Sequence, residues 1–294
     1  MKKIPIYEIN SLFDAVDIHN KILEEIDILL DFENARFIRN NYLSIVGLAI
    51  EKLKAEGGKY DINPPKNTKV LKAMKDVEFL DKFCDIEKGT DSYKTMIRYT
   101  NISSDSDVKL FEFYDYFQKK LLAKVQNISD KLANKIMQKV FELFSNVFRH
   151  SQSEFGLFCS GQFYPSNDKF YFTIVDGGIG IKQNVNNYLQ KEFNKNKGLL
   201  SRKKYQEKDA VECIEWAIQE GHSTTGKGGL GLALLIELVK KSNGQLEIIS
   251  DNGYYAIKNG KISKNTIKNK FSGTIICIGL DTDASKFYYL QGER

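Results

Sequence analysis

The stretch FYFTIVDGGIGI, residues 170–181, decides the fold of the C-terminal half of the chain. Its opening run is rich in aromatic and β-branched residues, so it predicts a buried strand that ends beside Asp176. The glycines that follow let the backbone turn sharply and come close to a flat ligand. A carboxylate at the end of such a strand can accept the amino hydrogen of a purine base. An ordinary tight turn has the same pattern, so the stretch alone leaves both interpretations open.

A single amphipathic helix is predicted upstream of this strand, over residues 131–150. Glu142 and Asn146 are four residues apart, so both point from one helix face into the same space. The amide oxygen of Asn146 suits a hard cation such as Mg²⁺, and the carboxylate of Glu142 can orient water or accept a proton. Taken alone, the pair is more simply a Glu and an Asn on a solvated helix face.

A glycine-rich loop, GKGGLGL at residues 226–232, runs into an apolar helix predicted over residues 230–242. Glycines before a helix N-terminus present unhindered N–H groups and the positive end of the helix dipole to phosphates. The loop is not a Rossmann fingerprint, because a long polar segment rather than a strand precedes it. It is not a Walker loop either, since no Lys-Ser/Thr pair follows its last glycine.

The order of the remaining elements predicts an α/β two-layer sandwich over residues 131–284. A hairpin is predicted from strands at 155–163 and 169–175, joined by a PSND turn. A meander follows, with strands at 245–250, 254–258 and 274–280 and turns at Asn252-Gly253 and Asn259-Gly260.

Together, in this order and at these intervals, the three segments resemble the N, G1 and G2 boxes of the GHKL ATPases, the superfamily with the Bergerat nucleotide fold. Gly273-Thr274 in the last predicted strand is similar to the family's late Gly-Thr, whose hydroxyl helps hold adenine. The resemblance implies ATP and Mg²⁺ as cofactors. It also implies that residues 182–225, with a polar stretch and a helix predicted at 208–220, form a lid over ATP.

The resemblance implies a role for each matching residue. Asn146 would ligate Mg²⁺, Asp176 would bind the adenine amino group, and Glu142 would be the catalytic group that activates water or a hydroxyl. His150 would contact phosphate, or would only cap its helix. The other residues implied to bind the nucleotide are Gly178, Gly180, Ile181, Gly226, Lys227, Gly228, Gly229, Leu230, Gly231 and Thr274.

The N-terminal part, residues 1–84, is predicted to be a small α/β domain. The patterns predict short strands at 4–9, 26–32 and 59–62 and helices at 41–55 and 69–83. The segment 29–38, the helix after it and Gly57-Gly58 resemble a STAS domain. Phosphorylatable STAS proteins have Asp-Ser where this chain has Arg39-Asn40, and an amide cannot accept phosphate. Ser44 lies one turn later, and self-phosphorylation is not expected.

Residues 85–130 are predicted to link the two domains. The first part, 85–107, is polar and turn-rich and is expected to be a connector. A helix is predicted over 108–125, with Phe111, Tyr114 and Phe117 at helical spacing. These aromatic side chains would pack in the core or between the two subunits of a homodimer.

Composition limits the classes of function. The net charge of +5 is spread along the chain, with lysines alternating with acids, which is typical of a solvated surface and does not favour nucleic-acid binding. The four cysteines are far apart without a CxxC pair, so a reduced, cytoplasmic protein without a zinc site is expected. No secretory signal and no run long enough to span a bilayer is present.

Within the GHKL superfamily, the segment from Glu142 to His150 most resembles the anti-sigma-factor serine kinases. His19 lacks the acid and proline that accompany the phosphoacceptor of a histidine kinase, so it is predicted to be a surface residue. Two hypotheses follow. The chain is a protein serine/threonine kinase or ATPase, or it is a nucleotide-dependent switch that captures a regulatory partner of the STAS or sigma-regulator type.

Overall fold

The computed structural model describes residues 1–102, 107–122, 152–196, 204–224, 231–241 and 243–282, together with single positions between 129 and 144. It shows an α/β fold in three layers. In the described ranges, no helix has the length and apolar character that crossing a membrane requires.

The N-terminal unit contains two small parallel sheets and four α-helices among its described elements. Its elements are β1 (Lys2–Pro5), β2 (Glu8–Ile9), α1 (Leu12–Leu23), β3 (Asp27–Asp31), β4 (Phe37–Ile38), α2 (Leu43–Ala55), β5 (Lys59–Asn63), α3 (Thr68–Asp76) and α4 (Phe79–Cys84). The larger sheet has the order β1-β3-β5, and β2 pairs with β4. The predicted strands at 26–32 and 59–62 and the helix at 41–55 are confirmed.

Three predictions for this unit are wrong. The strand expected over 4–9 is two strands, β1 and β2, which belong to different sheets. The helix expected over 69–83 is split into α3 and α4, because Glu78 has a φ of 64°, a left-handed conformation through which an α-helix does not continue. His19 is buried rather than on the surface, since α1 packs its ring 4.7 Å from the ring of Phe271. Burial lowers the pKa of His19 to about 4, so the imidazole is neutral at physiological pH.

The C-terminal part is built on a five-stranded antiparallel sheet with the order β6-β7-β8-β10-β9. Its elements are β6 (Met96–Ile102), α5 (Asp107–Leu122), β7 (Leu157–Tyr164), β8 (Lys169–Asp176), α6 (Gly180–Asn196), α7 (Ala210–Ala217), α8 (Gly231–Lys241), β9 (Gln245–Lys258) and β10 (Lys261–Asp281). The helix predicted at 131–150 is described only at single positions, which are helical up to Phe144.

The segment 85–107 is not only a connector, because β6 lies within it and pairs with β7 as the edge of the sheet. Its sequence, MIRYTNI, is about half polar, as is usual for an edge strand. For this reason the strand is hard to distinguish from the turn-rich residues around it. The helix after it, α5, packs on the sheet through Leu110, Phe113 and Phe117. Phe111 is exposed and stacks on Phe141 instead. The domain boundaries themselves stay predictions.

The meander is simpler than predicted. The turn at Asn259-Gly260 is confirmed, with φ values of 50° and 72°. The turn expected at Asn252-Gly253 is wrong, because β9 continues through it. Asp251 has a φ of 52° beside a register shift, so the strand contains a bulge. After it the odd-numbered residues face the helices, whereas before it the even-numbered ones do.

Both faces of the sheet are covered. On one face, α5, α7 and α8 and the described residues Met137 and Phe144 form a continuous apolar cluster with the strands. We call this the helical face. On the opposite face, α1 and α2 of the N-terminal unit pack on Phe158, Val175 and Ile275. The N-terminal unit is therefore the third layer of the fold.

A row of buried polar side chains fixes α2 on that opposite face. Ser160, Thr173, Cys277 and Glu247 lie side by side across four strands. Asn41, in the turn before α2, donates from Nδ2 to Thr173 Oγ1 at 3.0 Å and accepts from Ser160 Oγ through its carbonyl at 2.9 Å. Directional hydrogen bonds thus set the position of α2, in addition to apolar packing.

The same contacts bury Asn40 and Ser44, the residues compared with a STAS phosphoacceptor in the sequence analysis. Asn40 is buried and donates from Nδ2 to Gln162 Oε1 at 2.9 Å. Ser44 has no exposed surface, its N–H donates to Ser160 Oγ, and its hydroxyl donates to the carbonyl of Asn41. A phosphate group has no room on Ser44 while α2 is packed in this way.

Candidate functional site

A second polar row crosses the sheet on its helical face. Strand register places Leu157, Asp176, Thr274 and Ser250 side by side on β7, β8, β10 and β9. Directly opposed residues of antiparallel strands share a face, so these side chains point to the same side. The next row along the strands is apolar and consists of Cys159, Ile174, Ile276 and Ile248. The polar row therefore marks one end of the helical face as the candidate site.

Asp176 is the charged member of this row. It is only 1% exposed, and its Oδ1 accepts a hydrogen bond from the N–H of Gly178 at 2.8 Å. Thr274 also donates to this carboxylate from its hydroxyl and its backbone N–H. Burial raises the pKa of Asp176 to about 7, while the hydrogen bonds and the positive charge of Lys52 act in the opposite direction. The group is poised between its two protonation states at neutral pH.

Glycines close the backbone around the row. Gly273 has a φ of 126°, and a methyl group there would lie 2.0 Å from the carbonyl oxygen of Asp176. Gly180 has a φ of 73°, and a methyl group there would lie 2.8 Å from Ser250 Oγ. A larger residue at either position would clash and would also require a strained backbone. With glycine at both positions, residues 176–181 lie against the Gly273-Thr274 segment of β10.

Ser250 links residues 180–181 to Gly273, and it was not identified from the sequence. Its hydroxyl accepts from the N–H of Ile181 at 2.8 Å and donates to the carbonyl of Gly273 at 2.9 Å. Leu246 and Ile248 lie on the same face, so the period of two in LEIIS does indicate a polar residue that faces the core. That signal was available in the printed sequence.

The structure brings together the predicted residues of the base site. Asp176, Gly178, Gly180, Ile181 and Thr274 lie at one end of the helical face. Gly231 is the first residue of α8. The other predicted site residues lie outside the described residues: Glu142, Asn146, His150, Gly226, Lys227, Gly228, Gly229 and Leu230.

The predicted lid is more helical than expected in its described parts. The polar stretch after Gly180 is the helix α6, and the helix predicted at 208–220 is α7. Asn186 connects them, because its Nδ2 donates to the carbonyl of Lys208 and its Oδ1 accepts from the hydroxyl of Tyr205. Trp216 of α7 also packs against Tyr188 of α6, with the ring centroids 5.6 Å apart. These contacts hold α6 and α7 together.

The row suits a ligand that donates a hydrogen bond. A buried carboxylate without enough donors is costly, and a neutral amino group would stabilise its ionised form. The Thr274 hydroxyl adds a second polar contact, and the glycines leave the backbone open to a flat group. Within the described part of the chain, His, Cys, Asp and Glu side chains form no group of three that could hold a metal ion. The predicted Mg²⁺ ligand, Asn146, lies outside that part.

Comparison with known proteins leaves the family open. No model of a known protein family matches the chain, and no curated protein matches it. Among solved structures, the chain is similar to the B subunit of the DNA gyrase from Myxococcus xanthus, with 11% sequence identity and a TM-score of 0.25. The match covers 61% of this chain and 46% of that one, so it spans less than half of the gyrase subunit. A similarity of this size carries no argument about function.

The raised pKa of Asp176 predicts a specific dependence of stability on pH. Its pKa is about 4 in an unfolded chain and about 7 in the folded one. Between these values the folded protein holds the extra proton, so the free energy of unfolding falls as pH rises, by up to about 1.4 kcal/mol per unit. Asp176→Asn cannot titrate and should lack this contribution.

Urea unfolding at pH 5, 6, 7 and 8, without nucleotide, checks this. The unfolding free energy of Asp176→Asn minus that of the wild type should rise from pH 5 to 7 and level off near pH 8. A difference that stays constant with pH would show that the Asp176 carboxyl is not held in a costly buried position.

Proposed function

We propose that this chain is an ATP-binding regulatory protein of the GHKL type, and that Asp176 and Thr274 hold its adenine base. The observation that carries this proposal is the buried carboxyl of Asp176 beside Thr274 at the glycine-lined end of the helical face. An adenine amino group would supply the donor that this carboxylate lacks. The sequence resemblance assigned the same two residues to the base.

The rest of the nucleotide site is proposed from sequence alone. Residues 226–231, at the start of α8, would bind the phosphates with backbone N–H groups, with added charge from Lys227. Asn146 would ligate Mg²⁺, which would bridge protein and phosphates. Glu142 would orient water or accept a proton from an attacking hydroxyl. His150 would contact phosphate.

We propose that residues 1–84 are a STAS-like unit that does not receive phosphate. Its parallel sheet β1-β3-β5, with helices between the strands, supports the likeness. Asn40 stands at the acceptor position, and Ser44 is fully buried against the sheet. We therefore expect the serine or threonine that accepts the γ-phosphate to belong to another protein, in the cytoplasm as the sequence predicts.

Two activities are compatible with such a site. In the first, the chain is a protein serine/threonine kinase or an ATPase, and Glu142 favours it. In the second, it is a switch that binds a regulatory protein of the STAS or sigma-regulator type, or a second copy of itself, according to the bound nucleotide. The buried Ser44 favours the switch, because the fused STAS-like unit offers no accessible acceptor there.

Asp176→Asn should weaken the binding of ATP with Mg²⁺ by about 1–3 kcal/mol, because the amide presents a second donor to the adenine amino group. Isothermal titration calorimetry at pH 8 gives the affinity. Asp168→Asn is the matched control: it makes the same change in the exposed turn at the other end of β8, where φ is 48° and Asn is tolerated. Equal ATP affinities of the wild type, Asp176→Asn and Asp168→Asn would contradict the binding of adenine by Asp176.

The two activities differ in the fate of the γ-phosphate. If the chain is an enzyme, incubation with γ-labelled ATP releases phosphate or labels a candidate regulatory protein. Glu142→Ala should then lower that rate by roughly 10²–10⁴-fold while ATP still binds, since Glu142 supplies the base. The exposed Glu154→Ala is the control. If the wild type binds ATP fully but neither releases nor transfers phosphate, the enzyme hypothesis is contradicted and the switch hypothesis remains.

A further inference from the structure

Lys52 of α2 lies directly behind the proposed base site. A methyl group on Gly177 would lie 2.6 Å from Lys52 Cε and 3.0 Å from its Nζ, so the lysine side chain rests on the Gly177 backbone. Its Nζ donates to the carbonyl of Ser272 at 3.2 Å. Gly177 follows Asp176, and Ser272 precedes Gly273-Thr274. One lysine from the N-terminal unit therefore touches both segments that carry the polar row.

We infer that Lys52 is a positioning residue of the base site, which holds these two segments together from behind and places a positive charge near the Asp176 carboxylate. The inference rests on the proposed function, because it assigns Lys52 a role in binding the base. It adds that the nucleotide site is incomplete without the N-terminal unit.

The surroundings of Lys52 are suited to this role. Burial lowers its pKa, while the negative charges of Asp176 and Glu56 raise it. The neighbouring His19 is kept neutral chiefly by burial and also by the charge of Lys52. The aliphatic part of the lysine runs past Leu48, which also lies against Gly177, and its Nζ is 5.9 Å from the centre of the Phe271 ring. These contacts hold an ammonium group close to the base site.

The charge matters because an ionised Asp176 accepts a hydrogen bond from an amino group more strongly than the protonated carboxyl does. Burial of the Asp176 carboxyl favours its protonated form, and Lys52 is the charged residue that acts against this. Base affinity should therefore rise with pH as Asp176 loses its proton. Removing the charge of Lys52 should move that rise to higher pH.

Position matters as well as charge. On the face of the sheet that α2 covers, Ser160 and Thr173 fix the turn that precedes α2 by hydrogen bonds. Lys52 lies on the same helix, three turns further on. A partner that displaced α2 would remove Lys52 from Gly177 and Ser272 at once. The N-terminal unit would then control base affinity without contacting the nucleotide.

The test measures ADP affinity by calorimetry from pH 5.5 to 8.5, with full-length protein. Lys52→Gln removes the charge but keeps a donor for the Ser272 carbonyl, and Lys52→Arg restores the charge. Lys54→Gln is the matched control, because Lys54 is exposed on the same helix and pairs with Glu51. Lys52→Met removes the charge and keeps an unbranched side chain. It replaces Lys52→Gln if circular dichroism shows that the Gln variant does not fold.

Relative to Asp176→Asn, which shares the titration of the ADP phosphate but cannot titrate at residue 176, the wild type should bind ADP more tightly as pH rises, with a midpoint that reports Asp176. Lys52→Gln should raise that midpoint by about one pH unit and weaken binding severalfold at pH 6.5. Lys52→Arg and Lys54→Gln should follow the wild type. The inference would be overturned if Lys52→Gln or Lys52→Met has the same midpoint as the wild type while Asp176→Asn still binds ADP more weakly. The proposed function would then stand. Undiminished binding by Asp176→Asn would instead overturn the proposed function.

Discussion

The burial of one carboxyl group, that of Asp176, is the constraint on which the candidate site depends. A buried carboxyl is stable only where donors or a positive charge surround it. The chain supplies the N–H of Gly178, two donors from Thr274 and the ammonium of Lys52, and the pKa nevertheless stays near 7. An apolar residue at this position would cost the fold less. A ligand that donates a hydrogen bond to Asp176, as proposed above, would stabilise its ionised form.

The packing of the N-terminal unit brings a second part of the chain to this site. A unit joined only by a flexible linker would leave one face of the sheet in water. Here α1 and α2 cover that face, and Asn41, Ser44 and Ser160 fix the helix by hydrogen bonds. Asn40 and Ser44, which the sequence resemblance compares with a STAS acceptor site, are thereby buried by internal packing. The same helix brings Lys52 to the back of the base site.

The sequence predicts those parts of the structure that depend on local patterns. The strand that ends at Asp176 follows from periodicity, and the turn at Asn259-Gly260 follows from turn chemistry. The assignment of Asp176 and Thr274 to one site follows from the sequence resemblance. The edge strand β6 was missed because Arg98, Thr100 and Asn101 interrupt its apolar residues. The bulge at Asp251 was taken for a turn, since both favour Asn-Gly.

Tertiary contacts explain the other failures. His19 lies on a short amphipathic helix, and its burial includes a contact with Phe271, about 250 residues later in the chain. No local signal connects Lys52 with Gly177 or Ser272, because the N-terminal unit could have packed anywhere. Ser250 is an intermediate case, in which the strand period indicates the face but not the hydrogen bonds to Ile181 and Gly273.

The central claim is that Asp176 recognises the amino group of adenine, and base discrimination tests it most directly. Inosine triphosphate has the same phosphates and sugar as ATP but carries an oxygen in place of that amino group. With Mg²⁺ at pH 8, where Asp176 is ionised, the wild type should bind ATP more tightly by about 1–3 kcal/mol, since the carboxylate is left without its donor. Asp176→Asn should lose most of this preference. Equal affinities of the wild type for the two nucleotides would contradict the claim.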